Sequence, residues 1–92
     1  MPRFLLEVEH KATKEACKRA QMTFYRTGSH FMTHADWGCS DDVHKAWMIV
    51  ELPSREDALS IIPPDFRKKT NVVELELMDP SQMEELIEHH ED

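Results

Sequence analysis

The chain lacks any apolar run near the roughly 18 residues that a membrane span requires, and its opening MPRFLLEVEH turns acidic too soon for a signal peptide. The expectation is a soluble, untargeted cytoplasmic protein with no membrane partner. Basic charge is also scarce. Eleven Lys and Arg face 18 Asp and Glu, a formal charge of -7, so nucleic acid backbones and anionic surfaces are repelled rather than attracted. Cysteine is nearly absent. Cys17 and Cys39 form no CxxC pair, and Cys17 falls on the apolar side of a helical pattern. This argues against a disulfide framework, favours a reducing cytosol and makes Cys17 most simply a core residue. No nucleotide or flavin motif, internal repeat or low-complexity linker interrupts the 92 residues, which suffice for one domain and one modest core. Histidine is plentiful instead. Protonating all six would carry the formal charge from -7 to about -1.

Phe4, Leu6 and Val8 alternate with Glu7 and Glu9, the period of a half-buried strand, and His10 inherits their core-facing parity. Thr13 caps a helix running from about 13 to 27, whose Ala16, Cys17, Ala20 and Phe24 recur at helical spacing and which Gly28 stops. A second strand is expected from about Ser29 to Trp37 and a third from about Val43 to Leu52, joined through Gly38–Asp42 as a hairpin. Ser54 and Asp57 open a short helix that Pro63 and Pro64 end. From Asn71 to Met78 a fourth strand places Val73, Leu75 and Leu77 inward and Glu74 and Glu76 outward. Asp79-Pro80 begins a last, acid-rich helix of about 80–90 with Met83, Leu86 and Ile87 as its apolar stripe. His89 and His90 near its end are assigned no role.

The order β-α-β-β-α-β is that of the ferredoxin-like, split βαβ fold: an α+β domain with a core of about 3–78, an antiparallel sheet of order 4-1-3-2 and both helices on one face. This topology gathers the end of the first strand, the end of the second and the start of the third at one edge. His10, His34, Asp36 and His44 meet there. His44 is in phase with Ala46, Met48 and Val50 and so faces the helices, as His10 does. If the hairpin keeps equal parity, His30, Met32, His34 and Asp36 join that face, whereas a bulge near Gly38 would break the phase. The end of the second helix adds Phe66 and Arg67 as a lid, with Asn71 nearby. The opposite parity collects Phe31, Trp37, Trp47 and Ile49 with Leu5 on the open face. So much apolar surface calls for a cover, and a homodimer through that face is the expectation.

In this element order and burial pattern, residues 3–78 resemble the dimeric α/β-barrel superfamily, which includes muconolactone isomerase-like proteins and the antibiotic-biosynthesis monooxygenase group. The stretch HADWGCSDDVHKAW resembles a signature of a small bacterial group to which no activity is attached. The resemblance implies the fold and the dimer and carries over no catalytic residue.

Three functional readings follow. In the first, a small organic molecule binds or reacts in a pocket between sheet and helices: His34, Asp36 and His44 act as general acid and base, and His10, Met32, Met48, Phe66, Arg67 and Asn71 line the pocket. In the second, His10, His34, Asp36 and His44, with Cys39 nearby, hold Zn²⁺ or Ni²⁺. In the third, the dimer is structural or regulatory and the histidines cap strand ends. Cys39 is a poor nucleophile beside Asp41 and Asp42, whose charges disfavour its thiolate. Whether the protein is an enzyme is left open.

Overall fold

The computed structural model describes residues 1–83 and 87. The alternation of RFLLEVE forms strand β1 (Arg3–Glu9), with Phe4, Leu6 and Val8 fully buried and the residues between them half-buried or exposed. Thr13 Oγ1 accepts the Ala16 N–H at 3.0 Å and starts helix α1 (Lys14–Arg26), which buries Cys17, Ala20 and Phe24. Gly28, at φ +68°, ends it in a left-handed conformation that suits glycine. Strand β3 (Lys45–Glu51) pairs antiparallel with β1, from Arg3 opposite Glu51 to Glu9 opposite Lys45. Ser54 Oγ accepts the Asp57 N–H at 3.1 Å and caps helix α3 (Arg55–Ser60), as expected. Strand β4 (Thr70–Leu75) lies on the other side of β1.

With strand β2 (Asp36–Trp37) on the outer edge of β3, the domain is an α+β unit with a four-stranded antiparallel sheet of order β2-β3-β1-β4, the expected order read from the other side. Its core joins Phe4, Leu6, Val8, Ala46, Met48 and Val50 of the sheet to Phe24 of α1, Ala58 of α3 and Ile62. Both helices therefore cover the same face.

The predicted second strand is the main departure. Residues His30–Thr33 form a helical turn, α2, and only Asp36–Trp37 pair as β2. The Thr33 amide and hydroxyl both donate to the Ser29 carbonyl at 3.0 Å, and His34 Nδ1 lies 2.9 Å from the His30 carbonyl. An extended strand would point Phe31 and Met32 to opposite faces. The helical turn packs both against the core, Met32 fully buried and Phe31 partly so. Parity in the hairpin is also reversed. Trp37 stands opposite Ala46 and Asp36 opposite Trp47, and the even number of residues between Trp37 and Ala46 puts Trp37 on the helix-covered face and Asp36 on the open one. Trp37 packs on Phe24 with ring centres 4.9 Å apart. In β4, Val72 rather than Val73 faces the core, because Leu6 pairs with Val72 while Val73 stands beside outward-facing Leu5. Leu77 is exposed. Of the acid-rich last helix, residues 80–83 are helical and 84–86 and 88–92 lie outside the described residues, as do His89 and His90. No described helix is long and apolar enough to cross a membrane.

On the open face, Glu7 accepts hydrogen bonds from Trp47 Nε1 at 3.0 Å and Lys45 Nζ at 3.2 Å, which lock β1 to β3 in register. The indole N–H first, and the lysine second, hold the Glu7 carboxyl below its ordinary value of 4.5. A carboxylate favoured by folding adds stability above that value and loses it as the pH falls through the lower, folded-state value. Glu7→Gln should therefore lower the unfolding free energy at pH 7 by about 1 kcal/mol, the scale of a half-exposed charge-assisted pair. In urea titrations the deficit should shrink once the pH is well below 4.5. A constant deficit across that range would assign the loss to packing instead.

Candidate metal centre

The β1–β3 ladder continues one step past both strands. The His10 N–H donates to the His44 carbonyl at 3.1 Å, so the two histidines sit side by side, in phase with buried Val8 and Ala46. That phase matches the sequence reading. A tight loop brings a cysteine to them. After β2, Gly38 donates to the Lys45 carbonyl at 3.0 Å, Cys39–Asp41 form a 3₁₀ turn, and Asp42 takes a left-handed conformation at φ 59°. The Val43 amide then returns to the Gly38 carbonyl at 2.9 Å. This closed loop aims Cys39 back towards the end of β1.

Cys39 Sγ lies 3.3 Å from His10 Nε2. His10, Cys39 and His44 each place a donor atom within 4.8 Å of the other two, and among the described residues no other group of three potential ligands converges in this way. His44 is held from behind, with Nε2 3.0 Å from Asp42 Oδ1, while its Nδ1 is buried with no hydrogen-bond partner. His10 is buried and its ring meets that of His44 edge-on at 5.6 Å. Burial foremost, then the proximity of His44 and Lys69, pushes the His10 imidazole below its ordinary titration range, which favours the neutral form that binds metals.

Cys39 is also joined to Cys17 of α1 in a disulfide. This corrects the expectation that the cysteines stay apart. Cys17 is buried as expected, but α1 begins just after His10, so its first turns stand over the same end of the sheet. With Cys39 disulfide-bonded, its sulfur has no proton, and His10 Nε2 must be the donor in their contact.

The other predicted site residues lie elsewhere. His34 is exposed at the end of α2, its ring 4.1 Å from that of His30, and Asp36 faces the open side of the sheet. Both line a separate cleft of about 510 Å³ with Arg3, His30 and Ile49. They are outside the His10–His44 group because of the helical turn and the reversed parity. Met32 and Met48 are core residues, and Asn71 is exposed opposite Glu7. Arg67 ties down carbonyls at the end of α3, with Nε 2.8 Å from the Ile62 oxygen and Nη2 3.1 Å from that of Ser60. Phe66 does border the site. Together with His10, Lys11, Arg19, Asp65 and Lys69 it lines a cleft of about 250 Å³ between α1 and the 3₁₀ segment Pro64–Lys69.

Sequence reasoning missed that Cys17 stands against Cys39 at this end of the sheet. The available signal was positional: a residue in the first turn of the helix that follows β1 must stand over the edge where β1 ends. No protein-family model matches the chain, nor does any curated protein or solved structure.

Gly38 is essential to the loop for steric reasons. A Cβ there would come within 2.8 Å of both the Trp47 ring and the Val43 carbonyl oxygen. Gly38→Ala should cost roughly 1–3 kcal/mol in thermal or denaturant unfolding, because backbone has to shift. An unchanged midpoint would mean that the loop is looser than its hydrogen bonds indicate.

Proposed function

We propose that the protein binds a divalent transition metal, Zn²⁺ or Ni²⁺, through His10, Cys39 and His44. The observation that carries this reading is His44. A buried imidazole nitrogen without a partner is rare, and here it accompanies a carboxylate on the opposite ring nitrogen, the arrangement that orients and strengthens metal-ligating histidines. Imidazole and thiolate are the donors that zinc prefers, at about 2.0 and 2.3 Å. Tetrahedral bonds of those lengths set donors about 3.3–3.8 Å apart, so donors already within 4.8 Å of each other need only side-chain rotation to close.

The test is a Zn²⁺ titration of the full chain kept reduced by a phosphine. One equivalent should bind. His10→Ala, His44→Ala and Cys39→Ser should each weaken it at least tenfold, and Asp42→Asn by about tenfold, the low end for an outer partner, since Asp42 is exposed. His34→Ala and Asp36→Ala should bind like wild type. Retention in the His10 and His44 variants with loss in His34→Ala would move the metal to the other cleft.

A second reading is supported by the cleft beside His10. Lys11, Arg19 and Lys69 gather three cations around one acid, Asp65, in a chain of formal charge -7, which suits a small anionic organic molecule. Element and sheet order support a ferredoxin-like domain. Apolar Leu5, Trp47, Ile49 and Val73 on the open face support a homodimer, and Phe31 and Trp37 are not part of that patch because they pack on the core. Light scattering should then give twice the 10.8 kDa chain mass, and Ile49→Lys should give the monomer. Wild type at 10.8 kDa would dismiss the dimer. Thiolate ligands fit the cytoplasm, where Cys17 and Cys39 would be reduced.

A further inference from the structure

We infer that Cys17 is the fourth ligand of this centre, and that the metal and the Cys17–Cys39 disulfide exclude one another, so that thiol oxidation ejects the ion. This rests on the metal-binding reading and adds to it a ligand and a form of regulation.

Three observations carry it. First, Cys39 Sγ is shared: the atom that lies beside His10 Nε2 is the atom bonded to Cys17. Only a thiolate is an effective zinc ligand, and a disulfide sulfur has no charge to donate, so one sulfur cannot serve both purposes at once. Secondly, the backbone accommodates either state. The Cys17 and Cys39 Cα atoms are 6.9 Å apart, and a metal bridge, which holds two sulfurs about 3.8 Å apart, is reached by rotating the side chains. Thirdly, reduction leaves two thiols and two imidazoles at one sheet end, which, once the metal displaces the thiol protons, make the Cys₂His₂ set of closed tetrahedral zinc sites. Cys17 and Cys39 are the chain's only cysteines, so no other thiol can intercept the exchange.

The reaction balances with a low-molecular-weight disulfide as oxidant. A bound dication keeps Cys39 deprotonated despite Asp41 and Asp42, and Cys39 is more exposed than Cys17, so its thiolate attacks one sulfur of that disulfide and expels the other as a thiolate. The Cys17 thiolate then attacks Cys39 of the mixed disulfide and expels the second. Two protein thiolates lose two electrons, the small disulfide becomes two thiols after taking up two protons, and the metal leaves as the dication with its charge unchanged. The imidazoles stay unaltered, and His44 Nδ1 is left without a partner, as the disulfide-bonded structure has it.

The experiment loads the reduced full chain with one equivalent of Zn²⁺, adds oxidised glutathione, and follows Zn²⁺ with a chromophoric chelator, free thiols with a colorimetric reagent, and mass by intact-protein spectrometry. Zinc release should track the loss of two thiols and of two hydrogens in mass. The isolated disulfide form should bind Zn²⁺ at least a hundredfold more weakly than the dithiol form. In parallel, Co²⁺ replaces Zn²⁺ in wild type and Cys17→Ser. The variant should retain tetrahedral cobalt bands with about half the thiolate-to-cobalt charge-transfer intensity, and should bind Zn²⁺ about tenfold more weakly. Equal Zn²⁺ affinity in the dithiol and disulfide forms would overturn the exclusivity. Full charge-transfer intensity in Cys17→Ser would overturn the fourth ligand while leaving the three-ligand site standing. Failure of the reduced wild type to bind Zn²⁺ at all would overturn both readings, and circular dichroism of each form shows whether folding was preserved.

Discussion

The antiparallel pairing of β1 with β3 is the constraint on which the other features depend. Its register places Phe4, Leu6 and Val8 beside Val50, Met48 and Ala46, and from these six the core receives its floor. The same register, carried one hydrogen bond further, sets His10 beside His44. The core and the candidate centre are therefore not separate achievements of the fold. A slip of one residue would invert both, sending the apolar set to solvent and the histidines to the open face. Glu7 opposes such a slip from the other side of the sheet, where it grips Trp47 and Lys45.

Around that pair the loop and helix α1 act as delivery devices. Gly38 allows the chain to pass against the Trp47 ring, and left-handed Asp42 turns it back. One carboxylate then sits behind His44 and one sulfur in front of His10. Cys17 arrives from a different direction, over the edge where β1 ends. Donors from the residue after β1 and from the 38–44 loop thus converge without adjacency in sequence, in a spacing that matches no familiar ligand motif. The adjoining cleft has Lys11, Arg19 and Lys69 on its walls against the single acid Asp65, in a chain of formal charge -7.

Much of this was legible beforehand where a single period governed. The alternation in FLLEVEH and in HKAWMIV reported both strands, the face of each residue and the shared orientation of His10 and His44. The caps at Thr13 and Ser54 were readable because their hydroxyls act locally. Residues 29 to 37 were not legible in the same way. Thr33 donates to the Ser29 carbonyl and His34 bonds to the His30 carbonyl, each within one turn, and the burial of both Phe31 and Met32 outweighs any strand preference. Once that segment folds into α2, His34 and Asp36 leave the group and cannot be recovered by parity. The inward face of β4 was misjudged because Val72 and Val73 are equally apolar, and only the pairing with Leu6 selects between them. Cys17 looked like an ordinary core residue because burial, which is real, says nothing of what lies opposite it.

The most direct measurement is a long-range ¹H–¹⁵N correlation spectrum of the histidine side chains in reduced protein, before and after one equivalent of Zn²⁺, since imidazole nitrogens report which atom carries the metal. Coordination at His10 Nε2 and His44 Nδ1, with His30 and His34 unmoved, is the predicted result. Metal-induced shifts confined to His30 and His34, or coordination of His44 through the nitrogen that faces Asp42, would contradict it.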